Sequence, residues 1–374
     1  MGTRRIIVVG AGYAGLLAAL RARRVLHAQV TLVSDSPRFV DRIRLHEHLA
    51  RGADVATPVA QWLGGSGVEH VVGRAIAVDG SSLVLHDGST LAFDHLLLAL
   101  GSEGHPAPAG TRPVSLDSRA DVARALASGG RIAVVGAGTT GIEVAAELAE
   151  LEGASVTLVA SALAGELSPR ARAHVARYFA RQGAELRLGT RVRSAAPDHL
   201  ETDRGPVPFD LCLWTAGFRA ARPLAGLDVE LDPMGRILVG PDLRLPGRPD
   251  VQVIGDAGVP TGMATVPRPG CKSAMPLAAH AIDVLAGASG PFRWRDAMTC
   301  LSLGRRDGVI QALRADGAFG PTLTGRPAAW VKERVARYVL WSLAAERDDR
   351  FAYRWLRGPA GRPAALEAAS AGVR

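Results

Sequence analysis

The sequence predicts an α/β protein in which two Rossmann-like units share one chain, the second inserted in the first, with a smaller C-terminal α+β region after them. Three observations carry this. Ile6 to Val9 is a short β-branched run that passes at once into Gly10-Ala11-Gly12-Tyr13-Ala14-Gly15 and then into helix-forming Leu16 to Leu20, the order strand, tight turn, helix. Arg131 to Glu150 repeats that order with Gly136, Gly138 and Gly141. The following strand also recurs, Val30-Thr31-Leu32-Val33 returning as Val156-Thr157-Leu158-Val159, as far behind the first copy as Gly136 is behind Gly10. Turns kept only for packing have no reason to hold a common register, so both units are read as dinucleotide-binding; one working unit and one decayed copy is the alternative.

Taken in order, each element has a physical reason. Gly10 turns the chain, Gly12 lets backbone approach a pyrophosphate, and Gly15 lets helix pack on strand, while the helix start offers free N–H groups. The second strand ends at Ser34 and Asp35, where an acid for a ribose is expected. From Ser36 to Gly52 come Arg42 and Arg44, which point either to a pyrophosphate or to solvent, and His46 and His48, which without a carboxylate cluster make no metal site. Val68 to Leu100 alternates as strands with Asp79-Gly80 and Asp87-Gly88 as hairpin turns, closing on Ala99-Leu100-Gly101. Pro106, Pro108 and Pro113 mark a crossing. The expected division is 1–110 and 236–290 for the first domain, 111–235 for the inserted one, 291–357 for the C-terminal region, and a disordered tail at 358–374. Within these, Thr215-Ala216-Gly217 ends a strand, Gly255-Asp256 forms a corner, and Cys271-Lys272-Ser273-Ala274 opens a helix. Ala328 to Leu343 reads as a helix with Val331, Val335, Tyr338, Val339 and Ser342 on one face and Lys332, Glu333, Arg334 and Arg337 around the other. Such a helix suits a membrane surface, a cofactor cover or a second subunit, and its mixed charges favour packing.

Composition narrows the class further. The chain has 374 residues, 48% hydrophobic and 21% charged, ordinary for globular domains. No apolar run approaches the roughly 20 residues of a membrane span, and a strand begins almost at Met1, so the expectation is a cytoplasmic protein, with peripheral contact at the inner membrane face through the C-terminal helix as the variant. The formal charge of +8 comes from scattered arginines, with lysine only at 272 and 332, which argues against a nucleic-acid partner. Cys212, Cys271 and Cys300 form no C-x-x-C pair, so neither a redox disulfide of that kind nor a zinc or iron–sulfur site is expected.

The series GxGxxG, Ala99 to Gly101, a second GxGxxG followed by Glu143, Thr215 to Gly217, Gly255-Asp256 and the helix at 271 resembles the two-dinucleotide-binding-domain flavoproteins. Cys300 to Gln311, with Thr324-Gly325-Arg326 beyond, is similar within them to the branch of type II NADH dehydrogenases and AIF-like ferroptosis-suppressor quinone reductases. That resemblance implies FAD in the discontinuous first domain, NADH or NADPH as co-substrate in the second, and a quinone-like small-molecule electron acceptor. It implies cofactor contacts at Gly10, Gly12, Tyr13, Ala14, Gly15, Ser34, Asp35, Arg44, Gly101, Gly136, Gly138, Thr139, Gly141, Gly217, Gly255, Asp256, Ser273 and Ala274. Glu143 is then expected at the nicotinamide end. Lys272, one of two lysines in an arginine-rich chain, is expected to place a compact ammonium beside flavin or acceptor. Departures from the pattern are Ser34 where the acid usually stands, Leu100 for a threonine, and Ala160-Ser161 at the end of the second unit, which supply neither acid nor cation to read a 2′ position. A flavin monooxygenase, a ferredoxin reductase and a low-turnover nucleotide sensor are the competing readings; a homo-oligomer is compatible with all.

Overall fold

The run Arg5–Val9 lies inside a parallel sheet because both its faces are covered, and Ile6 to Val9 are buried. The computed structural model describes residues 3–263 and 265–359; the tail expected at 358–374 lies, from 360 on, outside the described residues. The helices in chain order are α1 (Tyr13–Leu26), α2 (Leu45–Arg51), α3 (Val59–Leu63), α4 (Ser118–Ala127), α5 (Thr139–Leu148), α6 (Pro169–Arg181), α7 (Cys271–Leu285) and α8 (Arg326–Arg347).

The first sheet runs Arg244–Leu245, Arg248–Val253, His95–Leu98, Arg5–Val9, Gln29–Ser34, Glu69–Val72, so it draws strands from well before and well after the second glycine unit. Its neighbours are parallel except at the hairpin of Arg244–Leu245 with Arg248–Val253. The second sheet, also parallel, runs Arg112–Pro113, Leu211–Trp214, Arg131–Val135, Ser155–Ala160, Glu185–Leu188. The repeat seen in the sequence is a repeat of register: Arg5 pairs with Gln29 and Arg131 with Ser155, while Gly10 N donates to Val33 O and Gly136 N to Val159 O. The fold is thus α/β with two Rossmann-like units.

A third sheet, Met298–Leu303, Asp307–Leu313 and Phe319–Thr324, is antiparallel and leads into α8. α8 is longer than expected and its buried stripe is shifted: Val339 and Ser342 of the expected face are buried together with Ala336, Leu343 and Glu346, while Tyr338 is exposed. It packs on α1 and α3 as well as on the third sheet, so its buried stripe is set by several neighbours. Lys332, expected on the solvent side, faces inward as a result.

Candidate functional site

The first glycine turn and the start of the helix that follows the second, at Thr139 and Thr140, line one cleft of about 740 Å³, while Gly136, Gly138 and Gly141 do not line it. At the first, Gly10 has φ +106° and a Cβ there would lie 2.3 Å from Ala99 O; a Cβ on Gly15 would lie 1.7 Å from Gly10 O. These two glycines are required by the protein itself. Gly12 differs: a Cβ there would meet nothing within 4 Å and would project from the N-cap of α1. Only a group brought from outside needs that position bare. Gly136, Gly138 and Gly141 repeat the division, with Gly136 at φ +103°, Gly141 Cβ 1.8 Å from Gly136 O, and Gly138 open. Thr215 Oγ1 donates to Val135 O and Gly136 O and fixes the second turn.

The first cradle continues along the cleft. Tyr13 and Ala14 line it, and the Tyr13 hydroxyl donates to buried Asp41 at 2.5 Å, which pins the segment after Gln29–Ser34 over the turn. Ser34 is already engaged, donating to Ser36 O and touching His70 Nε2 at 2.9 Å, whereas Asp35 is exposed and lines the cleft. Ser34 lines the cleft too, so the cleft is offered a hydroxyl that is already bonded and a carboxylate that is exposed. Gly101, Gly255, Asp256 and Ala274 line the far side. Asp256 accepts from Ser102 Oγ and from Gly270 N, both at 2.8 Å, so it ties the end of Arg248–Val253 to the start of α7. Ser273 is buried and donates to Arg268 O. Arg44 does not line the cleft: Glu47 and Glu333 hold its guanidinium at 2.9 and 2.8 Å. Arg38 and Arg42 line it in its place.

Thr139 and Glu143 come from the first turns of α5, and Gly217 faces them. Glu143 is buried, and its Oε1 accepts from Lys332 Nζ at 2.9 Å and from Ser302 N at 3.0 Å. Burial alone would raise this carboxyl, but Lys332, His46 and the Ser302 N–H outweigh it and hold the carboxyl below its ordinary value. Burial likewise works to lower the Lys332 ammonium, and Glu143 reverses that and raises it. An ion pair therefore stands in the cleft, with Cys271 and Cys300 also lining it; burial pushes the Cys271 thiol up to about 11 and keeps it protonated. Lys272 also reaches the cleft but is bonded to Asp296 at 2.5 Å, with 39% of its side chain exposed. The lysine in contact with Glu143 is the other one. Its signal was present in the sequence, since the scarcity of lysine that singles out Lys272 singles out Lys332 equally. Among the described residues no cluster of three or more His, Cys, Asp or Glu is placed to hold a metal.

One cleft thus takes in the start of α1, the start of α5 and a carboxylate–ammonium pair on the α8 side. The chain belongs to the pyridine nucleotide-disulphide oxidoreductase family, matched over residues 4–283. It is 31% identical to an NADH dehydrogenase-like protein of Mycobacterium tuberculosis, over 67% of this chain and 72% of that one. It is 29% identical to the human ferroptosis suppressor protein 1 over 83% and 89%, and 24% identical to the type II NADH:quinone oxidoreductase of Staphylococcus saprophyticus over 91% and 96%. Among solved structures, that of NDH2 from Plasmodium falciparum in complex with NADH superposes with a TM-score of 0.77 at 14% identity, covering 94% of this chain and 98% of that one. As a member of this family the chain is an NAD(P)H-dependent flavoprotein oxidoreductase.

Proposed function

We propose that the enzyme passes two electrons from NAD(P)H, through FAD, to a small quinone-like acceptor. The observation that carries this reading is the Glu143–Lys332 ion pair, which stands in the cleft beside the apolar residues Val335 and Val339 of α8. A quinone needs a flat apolar slot for its ring and a proton donor for its oxygens, and this wall offers both. A ferredoxin would take electrons without protons.

The residues present fit FAD in the first cradle. Gly12 leaves room for its pyrophosphate at the start of α1, Asp35 takes the adenosine ribose hydroxyls, and Asp256 stands where the ribityl chain would run. Bound there, FAD supplies the two-electron transfer between nicotinamide and acceptor. Gly138 and Thr139 at the start of α5 receive the NAD(P)H pyrophosphate, and Gly217 lets the backbone stand clear of the nicotinamide. Lys332 Nζ has N–H groups beyond the one given to Glu143, and these polarise the acceptor oxygen and give it a proton. Glu143 keeps that ammonium charged in a buried place. The domain division of the sequence reading, 1–110 with 236–290, 111–235 and 291–357, assigns each cradle to its own domain and the ammonium to the third. Ala160 and Ser161 supply no group that reads the 2′ position, so NADH and NADPH are used with similar efficiency, which a comparison of kcat/KM for the two checks. The test of function is steady-state turnover with NADH against a short-chain quinone, a ferredoxin and oxygen alone. Quinone should exceed the others by about tenfold or more, near 1.4 kcal/mol in the barrier, and equal rates would sink the reading.

A further inference from the structure

His46, on α2, lines the same cleft and is 4% exposed. Its Nε2 is buried with no hydrogen-bond partner among the described residues. The ring lies midway between two carboxylates, Nδ1 3.9 Å from Glu143 Oε2 and Nε2 3.9 Å from Glu47 Oε1. At those separations neither contact is a hydrogen bond, and each has to shorten by about 1 Å to become one. The charged groups facing the ring are Glu143 on α5, Lys332 on α8, Glu47 beside it on α2, and Arg305 in the turn after Met298–Leu303. Burial, helped by Lys332 and Arg305, outweighs the two carboxylates and holds the imidazole below its ordinary value, neutral near pH 7. A neutral imidazole has one N–H and one lone pair, so it can accept a proton at one nitrogen while releasing another at the opposite one. Glu47 leads outward, since its carboxylate lies 3.0 Å from Arg305, whose side chain is 42% exposed.

Reduction of a quinone by this class of enzyme balances as NADH + H⁺ + quinone → NAD⁺ + hydroquinone. The hydride comes from the nicotinamide and the remaining proton from solvent. Lys332 has to regain the proton it gives up while an acceptor covers the cleft. We propose that His46 is the relay that returns it: Nε2 accepts a proton from the Glu47 side, Nδ1–H releases one to Glu143, and Glu143 passes it to Lys332. The relay rests on the quinone reading above, and His46 acts through Glu143.

The experiment uses FAD-loaded enzyme and His46→Gln, whose amide has hydrogen-bonding groups but does not exchange tautomers, with Glu47→Gln as a second variant. Bleaching of the flavin by NADH and turnover with ferricyanide, which takes electrons alone, stay within about twofold of wild type. Quinone turnover falls by about tenfold or more. The loss deepens between about pH 6 and about pH 8.5, as free protons that bypass the relay become scarce. Equal losses in all three assays, or an unchanged quinone rate, overturn the relay. A wild type that reduces ferricyanide but no quinone overturns the acceptor reading, and the relay with it. In the resting holoenzyme the His46 ring nitrogens, read by ¹⁵N NMR, report a neutral imidazole averaging its two tautomers. A charged ring, or a ring fixed with its proton on Nε2, overturns the relay even where His46→Gln does not fold.

Discussion

Lys332 is 15% exposed and keeps its charge because Glu143 lies 2.9 Å away. Breaking such a buried pair by removing one partner costs about 3 to 5 kcal/mol, whereas replacing both with neutral groups is often nearly free. Lys332→Met should therefore lower unfolding stability by about that amount and suppress quinone turnover, and Glu143→Gln with Lys332→Met should restore stability without turnover. The sign with pH follows from the two shifts. The depressed Glu143 carboxyl contributes stability that is complete above its unfolded value of about 4.3 and is lost as pH falls through its lower folded value. The raised Lys332 ammonium contributes stability that is complete below about 10.4 and is lost as pH rises through its higher folded value. Between about pH 5 and about pH 9 the stability difference between wild type and the double variant Glu143→Gln with Lys332→Met, in which neither position titrates, should be flat, as denaturant titrations across that range would test; a difference that changes strongly within it would mean the pair titrates. Asp256→Ala removes two acceptors at one corner, those of Ser102 Oγ and Gly270 N. Purified Asp256→Ala should carry substoichiometric FAD by absorbance, and full FAD content would place Asp256 outside the cofactor's hold.

At the scale of elements, the glycine units were legible because their requirements are local: a strand, three glycines and a helix start specify each other within a dozen residues. The bonding of Ser34 was not legible, because one of its partners, His70, comes from a strand remote in sequence. Arg44, expected at the cofactor, and Lys332, expected toward solvent, are both held by carboxylates from helices remote in sequence, Glu333 and Glu143, which no local pattern shows. The rest of α8 shows what its own pattern did not assign. Trp330 and Trp341 are 60% and 47% exposed, Arg334 lies over the Trp330 ring, and Tyr338 stacks on Trp341. No helix among the described residues is long and apolar enough to cross a membrane. Amphipathic aromatics with arginines suit the headgroup level of a bilayer, so we propose that this face of α8 rests on a membrane surface. Sedimentation with anionic vesicles should retain the wild type, and Trp330→Ser with Trp341→Ser should release it by about tenfold in partitioning, about 1.4 kcal/mol. Equal retention of the two proteins would direct the face to a second subunit instead.

For the whole molecule, the site exists only where three regions of the chain hold still against one another, and charged seams do much of that holding. Arg51 on α2 binds Glu147 and Glu150 near the end of α5, while Arg305 binds Glu47 and approaches Glu147. On the opposite side Arg21 and Arg24 of α1 converge on Glu346 of α8, and Arg21 also binds Asp283 of α7. Glu346 is fully buried and accepts Tyr353 N as well, so three donors from two segments end on one carboxylate. This knot clamps α8 to α1, the helix whose N-terminus faces the first cradle, and thereby sets where Lys332 stands about four helical turns away. Glu346→Gln keeps the shape and removes the charge, leaving Arg21 half-compensated by Asp283 and Arg24 tied only to Asp349, which is 72% exposed. Loss of a buried partner of this kind costs about 3 to 5 kcal/mol when nothing replaces it, and Asp283 should bring the figure to the lower end. Denaturant unfolding should show that loss. Quinone turnover should fall while bleaching of the flavin by NADH is preserved, because the displaced element carries the proton donor and not the nucleotide cradles. A Glu346→Gln enzyme that lost both half-reactions together would mean that the knot holds the whole fold rather than the placement of α8.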